Sequence, residues 1–60
     1  MLETIQQTAN VVVVDDTEVS AEVLRRLLLQ DGHTVEVARD GESGLAAVRR
    51  TTPDLVLLDV

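Results

Sequence analysis

Residues 11–16 read VVVVDD, four β-branched apolar side chains followed at once by two carboxylates. An apolar run without polar alternation predicts a strand buried on both faces, the habit of parallel sheets covered by helices. The rhythm returns at residues 55–59, LVLLD, a second buried-strand pattern ending in an acid. Between these runs lie two stretches of helical periodicity and one shorter apolar segment. The predicted order is therefore strand, helix, strand, helix, strand.

Working outward from residue 16, Thr17 and the acids before it offer N-cap oxygens for a helix. From Glu18 to Gln30, Val23, Leu24, Leu27 and Leu28 recur at helical spacing and predict one inward stripe. Glu22, Arg25, Arg26 and Gln30 occupy most of the other side, and Gly32 stands where a left-handed residue is wanted after the helix. Residues 34–38, TVEVA, predict the second strand, placed at an edge because Glu36 calls for exposure. Asp40 is a cap for the second helix, with Leu45, Ala46 and Val48 expected inside. Gly44 within that helix is expected to weaken it by about 1 kcal/mol relative to alanine. Pro53 stops it, ahead of a third strand expected to be buried. Residues 1–9 read as a lead-in or linker, or the frayed end of an upstream helix; a short helix packed on the domain is the other reading.

Two consecutive βαβ units with right-handed crossovers place their helices on opposite faces if the strand order is 2-1-3. The fold class is then α/β, a parallel β-α-β-α-β sheet unit over residues 10–60. Its switch point lies between the first and third strands, where such sheets bind ligands at their carboxyl ends. Asp15, Asp16 and Asp59 all leave strands at that end. Like charges ~5 Å apart repel by roughly 3 kcal/mol at an effective dielectric near 20. A shared proton or a cation is needed, and a hard, oxygen-seeking ion such as Mg²⁺ suits carboxylates and water. The plainer alternative is that Asp15 and Asp16 cap the first helix and complement its dipole.

Composition narrows the function further. The chain has 60 residues, a net charge of −6, one His, no Cys and no aromatic residue, and all five of its basic residues are Arg. A disulfide framework and a zinc cluster are excluded. The charge argues against a nucleic-acid or anionic-membrane footprint, and base stacking has no aromatic platform. Apolar runs are too short for a membrane span, and the start, MLETIQQTAN, lacks the pattern of a signal peptide. The expectation is a soluble cytoplasmic protein.

The stretches VVVVDDTEVSAEVLRRLL, GHTVEVARDGESGLAAV and PDLVLLDV together resemble the receiver domain of bacterial response regulators and hybrid histidine kinases. The resemblance runs from about Asn10 to Val60, roughly the first half of that family's flavodoxin-like domain. It implies that Asp59 is the phosphoacceptor, taking a phosphoryl group from a histidine kinase or phosphotransfer protein as an acyl phosphate. It implies that Asp15, Asp16, Asp59 and the backbone carbonyl of Val60 hold Mg²⁺, which neutralises charge on the transferring phosphoryl oxygens. It also implies a docking face on the first helix, for which Thr17, Val19 and Val23 are candidates. The protein is then a signalling switch and not an enzyme in the usual sense.

The family's later hydroxyl, Lys and aromatic switch residues have no counterpart in these 60 residues. Thr51 and Thr52 cannot replace the hydroxyl, because seven strand residues at ~3.3 Å separate Thr52 from Asp59 by about 23 Å. The rival reading is a half-domain without a competent site, held together by self-association or by a complementary half, its third strand an open apolar edge. A receiver-like module that docks without phosphotransfer is the weakest option, given the three retained acids. His33 is read as a loop residue at the far end of the sheet. The pairs Arg25-Arg26 and Arg49-Arg50 are read as solvated cations late in their helices.

Overall fold

The computed structural model describes residues 8–59. Five elements follow one another: β1 (Asn10–Asp15), α1 (Glu18–Gln30), β2 (Thr34–Ala38), α2 (Gly41–Thr51) and β3 (Leu55–Asp59). The strands form one parallel sheet in the order β2-β1-β3, as the run of valines predicts for a central first strand. In register, Val14 lies beside Ala38 on one flank and beside Leu58 on the other.

Every residue of β1 from Val11 to Asp15 is buried, and Val13 has no exposed surface. Burying a valine side chain stabilises by about 1.5–3 kcal/mol, so this strand is the main apolar anchor. Side chains alternate across a strand. Val12 and Val14 join Ala38, Ala47 and the partly buried Val48 in the core under α2. Val11, Val13 and Asp15 therefore face the α1 side.

The helix faces differ from expectation. In α1 the buried residue is Ala21, with Leu24 and Leu28 half-buried, while Val23 and Leu27 are exposed. In α2 the buried residues are Gly44 and Ala47, with Val48 half-buried, while Leu45 and Ala46 are exposed. Both helices thus meet the sheet through their smallest residues, because those let helix and strand backbones approach most closely. At Gly44 an added Cβ would lie 2.7 Å from Val14 Cγ2.

The third strand also departs from its apolar pattern. Leu55, Val56 and Leu58 are exposed, Leu58 to 70%. Its outer edge has no strand partner among the described residues, and both helices lie over β1 and β2.

The ends of the elements follow the expected signals. Asp31 caps α1, and Gly32 takes a left-handed φ of 88° while its N–H donates to the Leu29 carbonyl. Asp40 Oδ1 accepts from the Ser43 N–H at 2.7 Å, capping α2. Thr52 closes α2 in the left-handed region at φ 44°, just before Pro53. Thr17 differs: it occupies the N-cap position of α1, but its side chain caps nothing. Arg25 and Arg26 are engaged in mid-helix by Glu22, whose carboxyl is held down at about 2 by their hydrogen bonds, Arg25 first. Arg50 pairs with Glu36 across to β2.

The amino ends of the strands are tied by a separate set of bonds. Ala9 N–H donates to His33 Nδ1 at 3.0 Å, and Thr34 N–H to the Ala9 carbonyl at 2.9 Å. Asn10 N–H donates to Asp54 Oδ2 at 2.8 Å, and Asp54 N–H returns to the Asn10 carbonyl. His33 is thereby a structural acceptor at the end remote from Asp15. Residues 1–7, most of the sequence read as a lead-in, lie outside the described residues.

Candidate functional site

The carboxyl ends of β1 and β3 bring acids together by register alone. Asp15 and Asp59 are direct lateral partners in the parallel pair, so their side chains leave the sheet on the same face. Asp16 follows β1 and is exposed, as is Asp59. Asp16 and Asp59 line one depression beyond the sheet, together with Arg39 and Asp40. Asp40 is held below the ordinary carboxylate range by hydrogen bonds from Ser43, its backbone N–H first, and is committed to capping α2.

Asp15 differs from both its neighbours in being 1% exposed. Its Oδ1 accepts from the Thr17 N–H at 2.8 Å, which turns the chain into α1. Its Oδ2 is buried and has no hydrogen-bond partner. Leaving such an acceptor unpaired costs about 1–3 kcal/mol, and more for a charged group. The capping reading therefore accounts for one oxygen of Asp15 and leaves the other unexplained.

An oxygen of that kind beside two exposed carboxylates suits a hard divalent ion, which takes carboxylate and water ligands. Among the described residues no three acidic or imidazole side chains stand close enough to form a finished cage. Water or backbone oxygens would have to complete the shell. Val60, whose carbonyl was expected to contribute, lies outside the described residues.

The other candidate residues are distributed as follows. Thr17, Val19 and Val23 are exposed on the outer flank of α1. The Thr17 hydroxyl donates to Asp16 Oδ1 at 3.3 Å. Thr51 lines a depression with Asn10 and Thr34 at the amino end of the strands, and its hydroxyl donates to the Ala47 carbonyl at 2.7 Å. Arg39 was missed by sequence reasoning. The signal for it was available: it follows β2 directly, and in a 2-1-3 parallel sheet that places it at the carboxyl end, where the acids leave their strands. Among the described residues no helix is long and apolar enough to cross a membrane.

Comparison with known proteins bears on this geometry. The family described as "response regulator receiver domain" matches residues 11–60. The chain is 46% identical over 54 residues to the probable transcriptional regulatory protein TcrX of Mycobacterium tuberculosis, covering 90% of this chain and 23% of that protein. It is 42% identical over 53 residues to the response regulator MprA of Mycobacterium ulcerans, covering 88% of this chain and 23% of that protein. It is 40% identical over 53 residues to the response regulator PleD of Caulobacter vibrioides, covering 88% of this chain and 12% of that protein. The chain thus spans less than a quarter of the length of these relatives.

Proposed function

The chain belongs to the response regulator receiver family, and from that premise we propose that Asp59 is its phosphoacceptor in two-component signalling. The observation that carries the reading is the in-register pair of Asp15 and Asp59 at the carboxyl end of the sheet. The phosphoryl donor is a phosphohistidine on a histidine kinase or phosphotransfer protein, met in the cytoplasm. A carboxylate oxygen of Asp59 attacks phosphorus and the bond to the donor breaks, leaving an acyl phosphate. The module acts as a switch for a partner and not as an enzyme with turnover of its own.

Asp15, Asp16 and Asp59 would hold Mg²⁺, with the Val60 carbonyl as a further ligand. The ion supplies positive charge against the phosphoryl oxygens. The chain's own residues do the rest. The Thr17 N–H fixes Asp15 through Oδ1 and leaves Oδ2 without a hydrogen-bond partner. Exposure keeps Asp59 open to a donor. Thr17 at the entry to α1, with Val19 and Val23 on the helix, offers that donor a partly apolar face.

The test is intact mass after incubation with Mg²⁺ and acetyl phosphate. A gain of one phosphoryl group is expected, absent in Asp59→Asn. No gain, or a gain that survives Asp59→Asn, overturns the reading.

A second reading is favoured by β3, whose exposed leucines and outer edge, without a strand partner among the described residues, form a template for strand pairing. On this reading the 60-residue chain is a half-domain that self-associates or pairs with a complementary half. Sedimentation at low micromolar concentration is expected to show species larger than one chain. A compact, cooperatively folded monomer would refute it.

A further inference from the structure

We infer that Arg39 is a cation that engages the phosphoryl group on Asp59, an inference that rests on the phosphoacceptor reading above. Five arginines supply every cationic side chain of the sequence apart from its His. Arg25 and Arg26 are held by Glu22, and Arg50 by Glu36. Arg49 lies in the last turn of α2, away from the acids. Among the described residues, Arg39 is the one cation that lines the depression shared by Asp16 and Asp59.

Register explains how it gets there. Arg39 follows Ala38, the partner of Val14, while Asp59 is the partner of Asp15. Arg39 is thus one residue past the last pair of the β1–β2 ladder, at the level of the Asp15–Asp59 pair, and the three form a row across the carboxyl end of the sheet by continuation of that register. The flanking members of that row are two strand spacings apart, roughly 10 Å between backbones. An extended arginine reaching inward and a phosphoryl group reaching outward from Asp59 span that gap.

The present partner of Arg39 does not compete strongly. Its Nη2 is 3.6 Å from Glu18 Oε2, and both side chains are mostly exposed. That distance is longer than the ~2.7–2.9 Å of a charge-assisted hydrogen bond, and exposed pairs of this kind are weak. A phosphoryl group offers three strong acceptor oxygens, which match the guanidinium fork. Arg39 thus exchanges Glu18 for the phosphoryl oxygens when Asp59 is modified.

The step balances without a further reactant. An Asp59 oxygen forms a bond to phosphorus, and the phosphorus–oxygen bond of acetyl phosphate breaks. Acetate leaves with the electron pair, and the product is the mixed anhydride on Asp59.

The test follows intact mass over time for wild type, Arg39→Gln, Arg39→Lys and Glu18→Gln, each with Mg²⁺ and acetyl phosphate and each checked by circular dichroism. Arg39→Gln is expected to gain the phosphoryl group about ten- to a hundredfold more slowly, the scale of one hydrogen bond to a charged group. Arg39→Lys restores part of the rate, because it returns the charge without the fork. Glu18→Gln matches or exceeds wild type, since it frees Arg39. Arg39→Gln at the wild-type rate overturns the inference while leaving Asp59 as acceptor. Glu18→Gln as slow as Arg39→Gln also overturns it, because the pair would then matter only structurally. If wild type itself gains nothing, the phosphoacceptor reading fails and this inference falls with it.

Discussion

Replacing Asp15 by asparagine is expected to stabilise the fold by about 1–2 kcal/mol and to abolish its response to Mg²⁺. The wild-type side chain is almost completely buried, with Oδ2 unpaired. An unsatisfied buried acceptor costs about 1–3 kcal/mol. Its lateral partner is another acid, Asp59, and like charges directly opposed across strands destabilise a sheet. Asparagine has nearly the same shape and keeps an oxygen for the Thr17 N–H. It removes the charge and can direct an amide N–H toward Asp59. The gain should shrink in high salt, because Asp59 is exposed and its share of the repulsion is screened.

Mg²⁺ should reverse the ranking. An ion that binds the folded state stabilises it in proportion to the logarithm of its concentration over its dissociation constant. Wild type should therefore melt higher in Mg²⁺ than in chelator, while Asp15→Asn melts at one temperature in both. An Asp15→Asn variant less stable than wild type in chelator would show that Asp15 is already satisfied by the fold. A site that weakens its own scaffold in this way is expected where a ligand, and not folding, decides the residue.

The second large effect is a reversal of sign at Gly44. Helix propensity alone favours alanine there by about 1 kcal/mol. Packing opposes it: the new methyl would stand 2.7 Å from Val14 Cγ2 and 3.4 Å from Cγ1. Val14 is 8% exposed and β-branched, so it cannot rotate out of the way. Overpacking typically costs about 1–3 kcal/mol. Gly44→Ala is therefore expected to destabilise by up to about 2 kcal/mol, and Gly44→Val by more. Urea denaturation with unchanged slope measures this directly. Adding Val14→Ala should make the double loss smaller than the sum of the single losses, because the two residues share one space. A Gly44→Ala protein more stable than wild type would show that α2 can move off β1 at little cost. Such movement would also shift Asp40 and Gly41, which border the acidic depression.

Much of this was legible in the residues. Hydrophobic rhythm, Gly32, Asp40 and Pro53 bounded the elements because backbone conformation near a turn or cap depends on local chemistry. The order β2-β1-β3 followed from handedness and from β1 being apolar on both faces. With that order, Asp15, Asp16 and Asp59 had to leave the sheet at one end.

Three features were settled only by tertiary packing. The first is which residues of α1 and α2 touch the sheet. Periodicity defines an apolar stripe, but closest approach is decided by volume, so Ala21, Gly44 and Ala47 are inside while Val23, Leu27 and Leu45 are exposed. The second is the burial of β3, since a strand's burial depends on what packs against it and not on its own apolarity; Leu58 is among the most exposed leucines. The third is the inequality of the acids. Asp15 and Asp16 are chemically identical neighbours in sequence, yet the pleat turns Asp15 beneath α1 with one oxygen unpaired and leaves Asp16 in solvent.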